Sequence, residues 1–146
     1  MTITRADVEA ELVSRQKSRM EAVNMSLLFS GSNLDLNSSI GYAVRQCGGT
    51  VASLSSVSNS DLATVTDDLD KLIDIAEYRL LLSIKGRWGR HDITAGQLTE
   101  KLSQFADDLD SDIDRKRSEL AELYGFGSGL LEAGTISLNF AEKYES

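Results

Sequence analysis

Proline is missing from this 146-residue chain, and cysteine, histidine and tryptophan each occur once. Proline breaks helices by removing a donor and clashing with the preceding turn, so its absence leaves long helices uninterrupted. Stops fall to glycine instead, and Gly31, Gly48, Gly49, Gly86, Gly96 and Gly125 stand where apolar periods end or begin. The lone Cys47 excludes an internal disulfide and a multi-thiolate metal site, and reads as a small buried apolar residue made in a reducing compartment. His91 has no second histidine or cysteine at ligand spacing, so no metal ligand set and no cofactor is expected. No window approaches the roughly 18 uninterrupted apolar residues of a membrane span. Met1 to Glu9 lacks the apolar block of a secretory signal, so a soluble, intracellular chain without a membrane partner is expected.

Motifs for chemistry are lacking as well. Serines and aspartates are plentiful, but no nucleophile-elbow sequence or Gly-rich oxyanion loop accompanies them. Gly48, Gly49 and Thr50 lack the lysine and flanking glycine of a phosphate loop. The run Asp107-Asp108-Leu109-Asp110-Ser111-Asp112-Ile113-Asp114 opens like a calcium loop, but Arg115 stands where glycine is needed and Ala121 where the bidentate glutamate belongs. It reads as an acidic helix face. No enzymatic activity is expected. Twenty-three acids against 15 bases give a formal charge of −8, which argues against wrapping a nucleic-acid backbone, where cations supply most of the affinity.

What is present is helical periodicity. A first helix is expected from about Thr4 to Met25, capped by Thr4 with Asp7 at the positive end of its dipole. Its stripe of Val8, Leu12, Met20 and Val23 is thin, broken by Arg15, Gln16, Lys17 and Arg19, so it covers a core or leans on a neighbouring chain and does not form the centre. A second helix is expected from Leu34 to Cys47, with Asp35 or Asn37 as cap. The serine-rich segment 50–60 reads as a loop with a candidate short strand. A third helix, with Ser60 and Asp61 as a candidate cap, is clear from Asp67 to Lys85. There Leu69, Leu72, Ile73, Ala76, Leu80 and Ile84 form one face, widened by Ile75, Leu81 and Leu82 as a central helix requires. A fourth runs from about Gln97 to Tyr124 on Leu98, Leu102, Phe105, Leu109, Ile113, Leu120 and Leu123.

The short connection Gly86 to Gly96 makes helices three and four an antiparallel pair. It holds Trp88 and His91, and with Lys85, Arg87 and Arg90 it forms the one local basic patch, suited to anchoring an interface or stacking on a base. Acidic Asp107 to Asp114 on the same chain allows head-to-tail contact between copies. After Gly125 the composition changes. Residues 126–129 form a Gly-rich hinge, and Ile136, Leu138 and Phe140 alternate with polar residues at strand period, suited to pairing with another protein. The expected architecture is mainly α: a small helical bundle over residues 1–125 with a long antiparallel helix pair, followed by an extended C-terminal arm, residues 126–146, containing a candidate β-strand. The candidate partner-binding residues are Lys85, Arg87, Trp88, Arg90, His91, Ile136, Leu138 and Phe140.

The segment Asp68 to Leu81, followed by Gly86-Arg87-Trp88, Asp92-Ile93-Thr94 and Leu102-Ser103-Gln104-Phe105-Ala106-Asp107, resembles the head-tail connector, or adaptor, proteins of tailed bacteriophages. The resemblance spans roughly residues 61 to 125 and rests on pattern. It implies a structural virion protein of the neck, made in the host cytoplasm, that assembles as a ring, usually of twelve copies, between the portal protein and the tail-side neck proteins. DNA would pass through the channel without specific binding, and the arm would dock on portal or on neighbouring subunits. A different class of function, a small regulatory or nucleic-acid-binding helical module using the basic tryptophan-bearing loop, fits the same residues.

Overall fold

The structure is a computed structural model that describes residues 4–51, 53, 56–91 and 99–125, with the helical backbone alone at 89–91 and 99–103. The chain is mainly helical, with α1 (Arg5–Ala22), α2 (Asn37–Gln46), α3 (Asn59–Leu62), α4 (Leu69–His91) and α5 (Thr99–Tyr124), and no strand among the described residues. The candidate short strand in 50–60 is therefore absent where that segment is described, and the arm expected at 126–146 lies outside the described residues. The chain divides within α5 into two compact units, one ending at Leu109 and the other beginning at Asp110.

Both ends of α1 and the end of α2 have a local cause. Thr4 Oγ1 accepts from Asp7 N and the Asp7 carboxylate accepts from Thr4 N, a reciprocal capping box that satisfies two otherwise orphaned donors. α1 ends at Ala22, short of the expected Met25, because Asn24 adopts a left-handed φ of 60°. Met25 N then donates to Met20 O and Asn24 N to Glu21 O, the paired bonds of a Schellman end, with Met20 and Met25 both buried over it. α2 stops the same way. Gly48, at φ 84°, and Gly49 donate to Arg45 O and Val44 O, as the glycine pair in the sequence anticipates.

Both expected caps of α2 turn out to be used elsewhere. The helix follows a 3-10 turn, Leu34–Leu36, that is capped by Asn33, whose side chain accepts from Asp35 N. Asp35 and Asn37 are taken up by long-range partners described below. Likewise Ser58, not Ser60 or Asp61, is the cap: with Asp61 it forms a capping box on the one-turn α3, which is separate from α4.

α4 is the central helix. It packs chiefly on α2 and also on α1, with Leu72, Ile75, Ala76, Leu80 and Ile84 essentially inaccessible against Ile40, Ala43 and Val44 of α2 and Val8, Leu12 and Met20 of α1 as the other buried faces. Arg79 lies 4.9 Å from the Tyr42 ring centroid, a cation–π contact across the α2–α4 seam. Leu69, expected on the apolar face, is instead exposed, because it is the first residue of the helix and lies beyond the reach of the seam.

The expected stripe of α1, Val8, Leu12, Met20 and Val23, is buried, and Val13 with the polar Arg5, Glu9 and Gln16 widens its covered face. The face is wide because polar side chains fill the gaps between its apolar ones. α4 also continues past Gly86 to His91, so the residues read as a loop tip are its last turns. Glycine within a helix costs about 1 kcal/mol relative to alanine, and tertiary contacts at Arg87 and Trp88 offset that preference here.

In the second unit, Asp110 to Tyr124 continues helically and ends in a left-handed cap, where Gly125, at φ 69°, donates to Ala121 O. Ile113 and Leu120 are buried, but Leu123, expected on the same stripe, is exposed. Arg115 bridges Asp112 and Glu119, and Arg117 pairs with Asp114, so the local charges are largely satisfied along the helix.

Candidate functional site

The basic tip begins with Lys85, exposed on α4. Arg87, two residues on, is held by Asp35: its guanidinium donates to Oδ1 at 2.7 Å, while Asp35 Oδ2 accepts from Ser26 N at 2.7 Å. The pair ties the last turns of α4 to the loop between α1 and α2. Trp88 is half-buried, and its ring lies 4.1 Å from that of Phe105, tilted by 33°. This contact brings the start of α5 back onto the end of α4. The Trp88 indole N–H is shielded from solvent and has no hydrogen-bond partner among the described residues. Arg90 and His91 belong to the helical backbone of α4 with their side chains outside the described residues, as are Ile136, Leu138 and Phe140 entirely.

A second assembly, not anticipated from the sequence, lies under the loop between α1 and α2. Arg5 and Glu9 are both buried, with Nε to Oε2 at 2.7 Å. The same guanidinium donates to Val57 O at 2.8 Å, Asn33 O at 2.5 Å and the Asn37 side-chain carbonyl. Glu9 accepts in turn from Gly31 N at 2.7 Å and Asn33 N at 2.9 Å. A buried ion pair is tolerated only when its remaining donors and acceptors are met, and here backbone groups from two segments and the Asn37 side chain meet them. The hub fixes the loop, the start of α2 and the segment before α3 onto the first turns of α1.

Asn33 converts that hub into a shaped loop. Its side-chain amide donates to Ser26 O and Leu28 O, both at 2.8 Å, so residues 26 to 33 close on themselves. The consequence is outward. Leu28 and Phe29, on the hydrogen-bonded loop, are each 59% exposed, and Leu34, the first residue of the 3-10 turn that follows, is 76% exposed. Exposed single hydrophobes are ordinary, but Leu28 and Phe29 are adjacent on a short, internally braced loop and Leu34 opens the turn that follows it. The sequence signal was the consecutive Leu27-Leu28-Phe29 before Ser30 and Gly31, which follows neither helical nor strand period.

A third group links α1 to α4. Gln16, where α1 leaves helical geometry (φ −125°, ψ 24°), donates to Glu77 Oε2 at 2.7 Å, and Arg15 pairs with Asp74 and Glu77 at 3.1 and 2.9 Å. Although burial opposes its charge, the carboxylates of Glu11, Glu77 and Asp74 hold the Arg15 guanidinium above its ordinary value. These residues position helices. Cys47 is buried, and burial pushes its thiol up to about 11, away from the range of a reactive thiolate.

Among the described residues no group of three His, Cys, Asp or Glu side chains is arranged to hold a metal, and no helix is long and apolar enough to cross a membrane. The surface groups that the described residues present are a braced apolar loop, an exposed lysine and an acidic stretch with Asp107 and Asp108 exposed. No family model, curated protein or solved structure matches the chain.

Proposed function

We propose that this protein is a structural assembly component, a head-tail connector or adaptor that forms a ring between a portal protein and tail-side neck proteins in a tailed-phage virion. The observation that carries the assembly role is the loop at Leu28, Phe29 and Leu34, where an internal polar framework holds large apolar side chains in water. Such a surface gains free energy only when something covers it. The connector role specifically is supported by the sequence resemblance along α4 and the start of α5. In this reading the protein is not an enzyme, takes no cofactor, and leaves DNA unbound as it passes.

The rival, a nucleic-acid-binding module using Arg87, Trp88, Arg90 and His91, draws less support from the tip, since Arg87 is already engaged by Asp35 and Trp88 by Phe105. The deciding experiment mixes purified chain with portal protein and follows the complex by size analysis and electron microscopy. A ring seated on the portal is expected. Absence of any association, together with salt-dependent binding to DNA, would overturn the reading in favour of the rival.

A further inference from the structure

Within the loop between α1 and α2, main-chain hydrogen bonding alternates. Ser26 N and Leu28 N are taken by Asp35 Oδ2 and Ser26 Oγ, and Ser26 O and Leu28 O by the Asn33 amide. Leu27 and Phe29, between and after them, make no main-chain hydrogen bond among the described residues. Two residues spaced by two, each with donor and acceptor unspent, are what the edge of a strand offers. Beside them stand the exposed Leu28, Phe29 and Leu34. From Met25 to Leu34 the sequence carries no charged side chain.

The chain holds a segment of matching character. Residues 133–141 are also uncharged, and within them Ile136, Leu138 and Phe140 alternate with Ser137 and Asn139. In an extended partner, that period would put the apolar side chains on one face and leave the main chain to pair. No sheet exists among the described residues for such a strand to join. An extended partner with apolar side chains at every second position is the occupant that the loop fits, because main-chain pairing supplies the affinity and the apolar patch the preference.

We infer that the loop around Leu28 and Phe29 is the receptor for the arm, residues 135–140, of a second copy of this chain. The inference rests on the ring proposed above. One loop and one arm per chain make the contact head-to-tail, the kind that closes into a ring when the rotation permits. Phe29 is its anchor.

The test uses the full chain. Asn139→Cys is labelled with a benzophenone maleimide, Cys47 being buried and poorly reactive. It is mixed at about 1 mM, enough to populate a millimolar contact, with unlabelled chain grown on nitrogen-15, and irradiated. Mass spectrometry should place the cross-link in residues 27–34 of the heavy chain. Adding Phe29→Ser to the heavy chain should cut its yield at least fivefold with the helical circular dichroism unchanged. Cross-links confined to light peptides with none to the heavy chain, cross-links to any other region, or none at all overturn the inference. So does a yield indifferent to Phe29→Ser. Ring formation on portal without this cross-link would leave the connector reading standing and remove only the arm-to-loop contact, whereas the cross-link without portal binding would do the reverse.

Discussion

Replacing Arg5 with methionine should unfold this protein more readily than any loss of a single apolar side chain at its surface. The guanidinium is buried and serves four acceptors: the Glu9 carboxylate, the carbonyls of Asn33 and Val57, and the Asn37 side chain. Methionine fills much of the same volume and donates to none of them. Glu9, fully inaccessible, then keeps a negative charge with only Gly31 N and Asn33 N to stabilise it. Breaking a buried pair by removing one partner costs about 3–5 kcal/mol, because the remaining charge is uncompensated. A domain of this kind has about 5–15 kcal/mol in all. At roughly 3 °C per kcal/mol for about 150 residues, the melting temperature should fall by about 10 °C.

Arg5→Met combined with Glu9→Gln separates charge from geometry. Glutamine removes the stranded charge but turns an NH2 group toward main-chain donors that the carboxylate accepted. The double variant should therefore recover part of the loss and remain below the wild type. Urea unfolding followed by circular dichroism measures both, with the slope checked for constancy. If Arg5→Met lay within about 0.5 kcal/mol of the wild type, the range of ordinary surface substitutions, or if the double variant were less stable than the single, the buried hub would not be what holds the loop.

The other expectations are smaller. Cys47 should resist thiol reagents at pH 8 until the protein is unfolded, and full reactivity of the native protein would contradict its burial. Because folding raises that thiol to about 11, its contribution to stability is complete below the unfolded value near 9 and is lost as pH rises through 11, so unfolding by urea should become easier across that window. Asn24→Ala should cost on the order of 1–2 kcal/mol for placing an ordinary side chain at positive φ, while Asn24→Gly should be tolerated. Thermal melts of both decide it, equal effects counting against the left-handed cap. Phe105→Ala should shift the emission of the single tryptophan, Trp88, to longer wavelength as its ring loses cover; an unchanged spectrum would mean that the rings do not meet in solution.

Periodicity and capping were legible because both are decided by near neighbours. Thr4 with Asp7, the wide face of α4 and the glycine stop after α2 follow from residues within one or two turns of each other. The end of α4 was not legible, since Gly86 and Gly89 signal a stop that Asp35, 52 residues away from Arg87, outweighs. The caps of α2 failed for the same reason. Asp35 and Asn37 are good caps in isolation, but Ser26, Arg87 and Arg5 compete for their oxygens, so α2 has no side-chain cap and Asn33 caps only the 3-10 turn before it.

The candidate site was obscured by a similar competition. From the sequence, charge beside tryptophan at 85–91 is the conspicuous feature, whereas Leu28 and Phe29 fall between two expected helices and Arg5 and Glu9 stand one turn apart on the first. Folding inverts these roles. Arg5 and Glu9 go inside because the loop supplies enough carbonyls and amides to replace water, and Arg87 and Trp88 are largely spent on internal contacts. A loop drawn so closely onto buried polar groups by its backbone has little freedom left to turn its apolar side chains inward, so Leu28, Phe29 and Leu34 stay in water. The exposure of that patch is therefore a consequence of the hub beneath it, and a variant that loosens the hub should lose the proposed ring assembly on portal, seen by electron microscopy, before it loses its helical circular dichroism.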